Sequence, residues 1–323
     1  MRSFAKALVL ALPMYGASVV HAQEAWPTRE VRMIAPFPAG SGATDTVARL
    51  MAEKLRDIWG QSVVVQNIPG AAGSVGMARL AKSPGDGYTI ATSGDAAVVV
   101  NVSLYKSLAY DPVRDLAPIT LVGRAPNILV VHAARGPRTL QDLLSVARTK
   151  PGGVSFTSNG FGTSQHMAIE QLKSRTGIEV VHAPSPGTAV RDVIGGHVDA
   201  AFMNMPVALP QVRAGALHAL AQTGRSRAAT APDIPTVAEL GLPGFEAVAW
   251  AGIFAPAGTP EAIVRRIHAD VGKALADPAL RNRLTELGVE LADNGTPESF
   301  AAFIRSEIPR IAELVRASGI KLD

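Results

Sequence analysis

Val31-Arg-Met-Ile-Ala-Pro-Phe-Pro-Ala-Gly-Ser-Gly-Ala-Thr-Asp45 holds a strand, a loop and a helix start in fifteen residues. The run from Val31 reads as a short buried strand stopped by Pro36 and Pro38. The small residues Ala39 to Ala43 then lead into a helix expected from about Thr44 to Trp59. Its apolar positions Val47, Leu50, Met51, Leu55 and Ile58 recur at three-to-four spacing, and Gly60 is a helix stop. The same order continues downstream. Ser62 to Gln66 contains three consecutive valines and is expected to be the next buried strand. Asn67 to Gly76 is a glycine-rich turn into a helix over Val75 to Lys82, and Tyr88 to Thr92 forms a third strand. Strand–helix alternation of this kind predicts a parallel sheet with helices on its faces.

The alternation restarts at the strand Ile128 to His132. Thr139-x-x-Asp142 is a capping box opening a helix over Leu140 to Thr149. A strand over Val154 to Thr157, a loop over Ser158 to Ser164 and a helix over Gln165 to Thr176 repeat the opening design. Strands follow at Val180 to His182, Asp199 to Met203 and Ala219 to Thr223, with a short helix over Ala189 to Ile194. Thr236-x-x-Glu239 is a second capping box. After Trp250 to Ala255 the tail reads as helical, Thr259-Pro260 and Thr296-Pro297 each placing an N-cap before a first-turn proline. No internal repeat is visible in the residues themselves. The expected architecture is two α/β lobes with a returning helical tail: 23–123 with 247–323 as the first lobe, and 124–246 as the second.

The composition narrows the function. A chain of 323 residues with 47% hydrophobic and 18% charged residues is globular rather than disordered. The lack of cysteine excludes a disulfide framework, a thiolate nucleophile and a Cys-rich metal site. Arg2 and Lys6, the apolar run Ala7 to Val20 and Val20-His21-Ala22 read as a secretory signal peptide over residues 1–22. The run is shorter than the ~20 residues a bilayer needs and contains Pro13 and Gly16. Without the signal's two cations the chain has 29 basic against 27 acidic residues. Lys and Arg form no cluster, so nucleic acid is not an expected partner. With no cysteine to carry a lipid anchor, the expected product is a freely diffusing periplasmic monomer.

Pro36 to Asp45 and Thr157 to His166 both place small residues at a helix N-terminus. Unpaired N–H groups and the helix dipole make such an end an anion site. Neither segment holds Lys or Arg, so an anion there would rely on main-chain donors with Ser41, Ser158, Asn159, Thr163 and Ser164. Glycine-rich turns of this type also occur as plain structure. Gly40-Ser-Gly42 lacks the third glycine of a dinucleotide fingerprint, and Gln66-Asn67 stands where its acidic residue belongs. No nucleophile elbow, phosphate loop or metal-binding helix is present, which disfavours an exported enzyme and implies no cofactor or metal. Three residues keep two readings. His166 is a ligand contact or a structural hydrogen-bond donor, Asp45 an ammonium partner or a cap, and Asn204 a ligand-orienting amide or a turn former. Trp250 reads as core or hinge packing.

Several motifs carry a family resemblance. Pro36-Phe-Pro-Ala-Gly40, Thr44-Asp45-x-x-Ala-Arg49, Gly60-Gln61-x-Val-Val-Val65 and Asn67-x-Pro-Gly-Ala71-x-Gly73 are four of them. Asp86-Gly-Tyr-Thr89, Ser158-Asn-Gly-x-Gly162, Asp233-x-Pro-Thr236-x-x-Glu239 and Ala255-Pro-Ala-Gly-Thr-Pro260 follow in order. The chain resembles the Bug (TctC-type) extracytoplasmic solute receptors of tripartite tricarboxylate transporters. The resemblance implies a type II periplasmic-binding-protein fold, two Rossmann-like lobes joined by crossover strands, closing on a small carboxylate for delivery to membrane permease subunits. It implies ligand contacts from Phe37, Ala39, Gly40, Ser41, Gly42 and Thr44 in the first loop. In the second they are Ser158, Asn159, Gly160, Gly162, Thr163 and Ser164, with Asn204 after the Phe-bearing strand. The first loop is one residue longer than usual. His182-Ala-Pro-Ser185-Pro186-Gly187 replaces a common His-Val-Pro-Tyr-Lys-Gly, removing an aromatic wall and a cation. A ligand sensor of the same fold, acting on a signalling partner, is the alternative.

Overall fold

The computed structural model describes residues 26–318, so the expected signal segment lies outside the described residues. In the first lobe the order is β1 (Val31–Ala35), α1 (Ala43–Trp59), β2 (Val63–Asn67), α2 (Ser74–Ala81) and β3 (Thr89–Ser93). A π-turn over Ala96–Val100 runs into the short α3 (Asn101–Leu104). The 17-residue strand β4 (Leu116–His132) then enters the second lobe. There follow α4 (Leu140–Thr149), β5 (Ser155–Thr157), α5 (Ser164–Thr176), β6 (Val181–His182), α6 (Ala189–Gly195), β7 (Ala200–Asn204), α7 (Met205–Arg213) and β8 (Leu217–Gln222). The strand β9 (Val248–Pro256) returns to the first lobe, which α8 (Glu261–Ala276), α9 (Pro278–Glu286), β10 (Glu290–Leu291) and α10 (Pro297–Ser318) complete.

Both lobes are built on one strand order. The first reads β2-β1-β3-β9-β4, and the second β6-β5-β7-β4-β8. β4 serves both: Leu116 to Pro126 pair with β9, and Asn127 to Val131 pair with β7. The sheet is therefore mixed, not parallel as the alternation predicts. Pairs β1–β2, β1–β3, β5–β6 and β5–β7 are parallel, whereas β9 runs antiparallel to β3 and β4 antiparallel to β9 and β7. The reversals belong to the two strands that run between lobes instead of returning through a covering helix. β2 is also not fully buried. It lies at the sheet edge, where Val64 is 44% exposed.

Each half-sheet is covered on both faces. In the first lobe Val47, Met51 and Leu55 of α1 meet Ile267 and Val271 of α8 on one side. On the other side Met77, Trp250, Phe254 and Phe300 pack together, so Trp250 is core at the crossover. In the second lobe Phe156, Phe202 and Phe245 stack, and each fully buried aromatic of this size contributes about 2–3 kcal/mol. The Thr139–Asp142 capping box forms with both reciprocal bonds. Thr236 and Glu239 exchange the same two bonds (2.7 and 3.1 Å), but only a turn follows, because Gly241, Pro243 and Gly244 forbid a helix. Thr296 accepts from Ser299 N–H at 3.2 Å. Thr259 does not act as a cap: its hydroxyl is buried without a partner and α8 begins after Pro260.

Candidate functional site

The first loop is held from beneath by a carboxylate. Asp45 is buried, and its Oδ2 accepts from Gly40 N–H at 2.7 Å and from Arg49 Nε at 3.0 Å. Its Oδ1 accepts from Asn67 Nδ2 at 2.7 Å and Arg49 Nη2 at 3.2 Å, and Asn67 Nδ2 also reaches the Phe37 carbonyl. Both oxygens are thus engaged by the loop, α1 and the end of β2. Asp45 is no helix cap either, since Gly42 is the N-cap residue and no side chain caps the end. Ser41 closes the turn by donating N–H and hydroxyl to the Pro38 carbonyl. No side chain of the loop caps the first N–H groups of α1.

The second loop is held by neutral hardware. Ser158 Oγ accepts from Gly160 N–H at 3.1 Å and lies 2.7 Å from His182 Nε2. Thr163 Oγ1 donates to the Gly160 carbonyl at 2.7 Å and caps His166 N–H at 3.4 Å. His166 Nδ1 accepts from Gly162 N–H at 3.1 Å, which places the ring proton on Nε2. The His166 ring stacks on His182 with centroids 4.7 Å apart, and Phe161 meets both rings edge-on. Burial pushes both imidazoles down to about 4. His166 is therefore a neutral acceptor that shapes its own loop.

The two loops meet. Asn159 Nδ2 donates to the Ser41 carbonyl across the lobes, and Ala43 N–H donates to Asn204 Oδ1 at 3.3 Å. Asn204 continues inward, its Nδ2 donating to Asn127 Oδ1 at 2.7 Å while Asn127 Nδ2 donates to the Ala247 carbonyl at 2.7 Å. Gln165 Nε2 donates to the same Asn204 Oδ1 at 3.0 Å. Asn204 is thus a bridging amide rather than a turn former.

A pocket of about 330 Å³ lies between the loops, lined by Phe37, Gly42, Thr44, Asn159, Thr163, Ser164 and Asn204 among the expected residues. An adjoining space of about 320 Å³ adds Gly40 and Ser41 and shares Asn159. Ala39, Asp45, Ser158, Gly160, Gly162 and His166 line neither space. Gly162 instead abuts the first lobe, where a Cβ on it would stand 2.7 Å from Asn101 Oδ1. Ala43, Asp95, Ala96, Gln165 and Ala249 line the pocket without having been singled out from the sequence. Gln165 directly follows the expected loop and Ala43 lies within it, so proximity was the signal for those two. Asp95, in Ser93-Gly-Asp-Ala-Ala, carries none.

No Lys, Arg or His lines either space. Asp95 is their one ionisable group. Burial pushes its carboxyl up to about 7, although the backbone amides of Trp250, Asp95 and Ala96 act in the opposite direction. Among the described residues no cluster of three or more His, Cys, Asp or Glu is placed to hold a metal, and no helix is long and apolar enough to cross a membrane. The arrangement offers main-chain N–H groups, hydroxyls and amides from two lobes, which suits binding.

Residues 47–320 match the model of the tripartite tricarboxylate transporter family receptor. The chain belongs to that family. This TctC-type receptor is 38% identical over 302 residues to protein BugT of Bordetella pertussis, covering 93% of this chain and 92% of BugT. Among solved structures it is similar to Rpa4515 of R. palustris with adipate, at 34% identity and a TM-score of 0.88, covering 92% of this chain and 99% of that one. It is also similar to MatC of Rhodopseudomonas palustris with bound malate, at 32% identity and a TM-score of 0.84, covering 90% and 100%. The receptor is a non-enzymatic solute-binding protein with the α/β periplasmic-binding-protein fold.

Proposed function

We propose that this receptor captures a small carboxylate between its lobes, in the periplasm and as a monomer, and hands it to the membrane permease subunits of a tripartite transporter. The reading takes residues 1–22 as the export signal, 23–123 with 247–323 as the first lobe and 124–246 as the second. The observation that carries it is the convergence of two helix N-termini, α1 and α5, on one pocket without a cationic side chain. Main-chain donors and helix dipoles then supply the anion affinity. Relatives solved with adipate and malate support the ligand class. Closure follows because a bound ligand gains contacts from both lobes that separated lobes cannot make. Differential scanning of the mature chain against a panel of mono-, di- and tricarboxylates tests this. A ligand at a hundredfold excess over Kd adds roughly 2.7 kcal/mol to stability. A panel in which no acid shifts Tm while neutral or cationic solutes do so sinks the reading.

A further inference from the structure

The amides lining the pocket are fixed in orientation by groups that cannot turn over. Ala247 offers a carbonyl, so Asn127 must direct its NH₂ there and its Oδ1 toward Asn204. Asn204 answers with its own NH₂, which leaves its Oδ1 to accept from Gln165 Nε2 and from Ala43 N–H, a backbone group that can only donate. Gln165 therefore holds its Oε1 away from this relay. That oxygen is fully buried and has no hydrogen-bond partner, in a residue only 3% exposed. An unpaired buried acceptor is costly.

Asp95 lines the same pocket from the first lobe. Its carboxyl has about four lone-pair positions to offer, and the backbone amides of Trp250, Asp95 and Ala96 favour its charged form. The pocket thus contains acceptors on opposite lobes, and Gln165 Oε1 is the one that is fully buried and unpaired, among main-chain N–H groups, hydroxyls and amides that can serve a carboxylate. A ligand bearing only carboxylates would satisfy the donors and leave Gln165 Oε1 unpaired in a pocket that Asp95 also lines.

We propose that this receptor selects acids that also carry a hydrogen-bond donor, a hydroxyl or an ammonium group, and that Gln165 Oε1 and Asp95 receive it. The inference rests on the carboxylate reading above and adds the second recognition element. The donor pairs with Gln165 on closure, because Gln165 and Asp95 belong to lobes that the ligand joins. A site that hydrogen-bonds a ligand group rejects the analogue lacking it, since its own buried polar atom is then left unpaired.

The test is calorimetric titration of the mature chain with succinate, malate and aspartate, which share one carbon skeleton and differ at a single position. A second series of adipate, 2-hydroxyadipate and 2-aminoadipate covers a longer spacing. The expected result is that a donor-bearing acid in at least one series binds roughly tenfold or more tighter than its plain parent. In Gln165→Met that preference collapses toward one. Asp95→Asn separates the two donors: a hydroxyl preference persists, because an amide oxygen still accepts, whereas an ammonium preference is lost with the charge. If the plain acids bind as tightly as their donor-bearing partners, or the preference survives Gln165→Met, the inference is overturned and carboxylate capture stands. If no acid of either series binds, the inference is overturned, and the wider carboxylate panel above decides the reading it rests on. Should Gln165→Met fail to fold, the wild-type comparison alone decides.

Discussion

The loops after β1 and β5 do the same work with opposite materials. Each sits between a strand and a helix, contributes small residues to the pocket and contains no cation. The first is tied down by a buried carboxylate whose partners Arg49 and Asn67 belong to α1 and β2. The second is tied down by hydroxyls and two stacked neutral imidazoles. A helix N-terminus needs only to be held at the right place to receive an anion, and either a charged or a neutral support accomplishes this. The difference lies in what each loop tolerates.

The largest expected effect comes from the point where the loops touch. A Cβ on Gly42 would stand 2.8 Å from Asn204 Oδ1, so Gly42→Val holds the lobes apart. We expect ligand affinity to fall roughly a hundredfold, about 2.7 kcal/mol, with little change in the far-ultraviolet spectrum. Retained affinity by titration would remove the first loop from the contact. Gly162→Val acts from the other side, and because its φ is +83° it also lowers stability.

Next in size is the carboxylate support. Asp45→Ala leaves Gly40 N–H without its acceptor and Asn67 Nδ2 with only the Phe37 carbonyl, and is expected to cost about 2–3 kcal/mol in urea unfolding. A loss under 0.5 kcal/mol would mean that the first loop holds its shape without Asp45. Gly40→Ala, although neighbouring, meets no atom within 4 Å and should cost only about 1 kcal/mol, for its positive φ.

Acid sensitivity separates the loops again. His166 and His182 titrate at about 4 in the folded chain and near 6.5 when unfolded. The unfolded chain therefore binds more protons between those values, and stability falls as pH drops from about 6.5 to 4, while staying flat above. Replacing one imidazole in His182→Gln should flatten this slope by an amount on the order of 2 kcal/mol, read from chemical unfolding at pH 4.5 and 7.5. An unchanged slope would place the acid sensitivity elsewhere. Asp95 works in the other sense. Its folded value near 7 lies above the unfolded 3.8, so the unfolded chain holds fewer protons across that window and stability declines as pH rises through it. Asp95→Asn should thus raise Tm at pH 8 by a few degrees and leave it unchanged below pH 4. Glu307, Arg310, Arg124 and Glu246 share the rear cavity with Asp95, and an equal gain at both pH values would assign the effect to packing among them.

Much of the site was legible because its signals are local. A strand, a small-residue loop and a helix start lie within about ten residues of one another, and that pattern marks both pocket loops. The crossover was legible through the family resemblance but not from any local pattern. The expected strand begins at Ile128, yet β4 starts at Leu116 and runs through Pro118, Gly123 and Pro126 as one strand whose bulges at Pro118/Thr120 and Leu121/Gly123 absorb the irregularity. Pro206 and Pro210 likewise hid α7, where the first occupies the opening turn and the second stands inside the helix.

By itself the sequence determined the two lobes' βα units, the anion-ready helix ends and the absence of cysteine and cation chemistry, since each depends on neighbours along the chain. Tertiary structure alone decided which of those groups share a pocket. The relay from Ala43 through Asn204 and Gln165 to Asn127 and Ala247 joins residues from five separate segments. Asp95 reaches the pocket because β3 pairs with the returning β9. Hydrogen bonds and burial at these positions depend on contacts between residues 39 to 161 positions apart, and no local pattern records them.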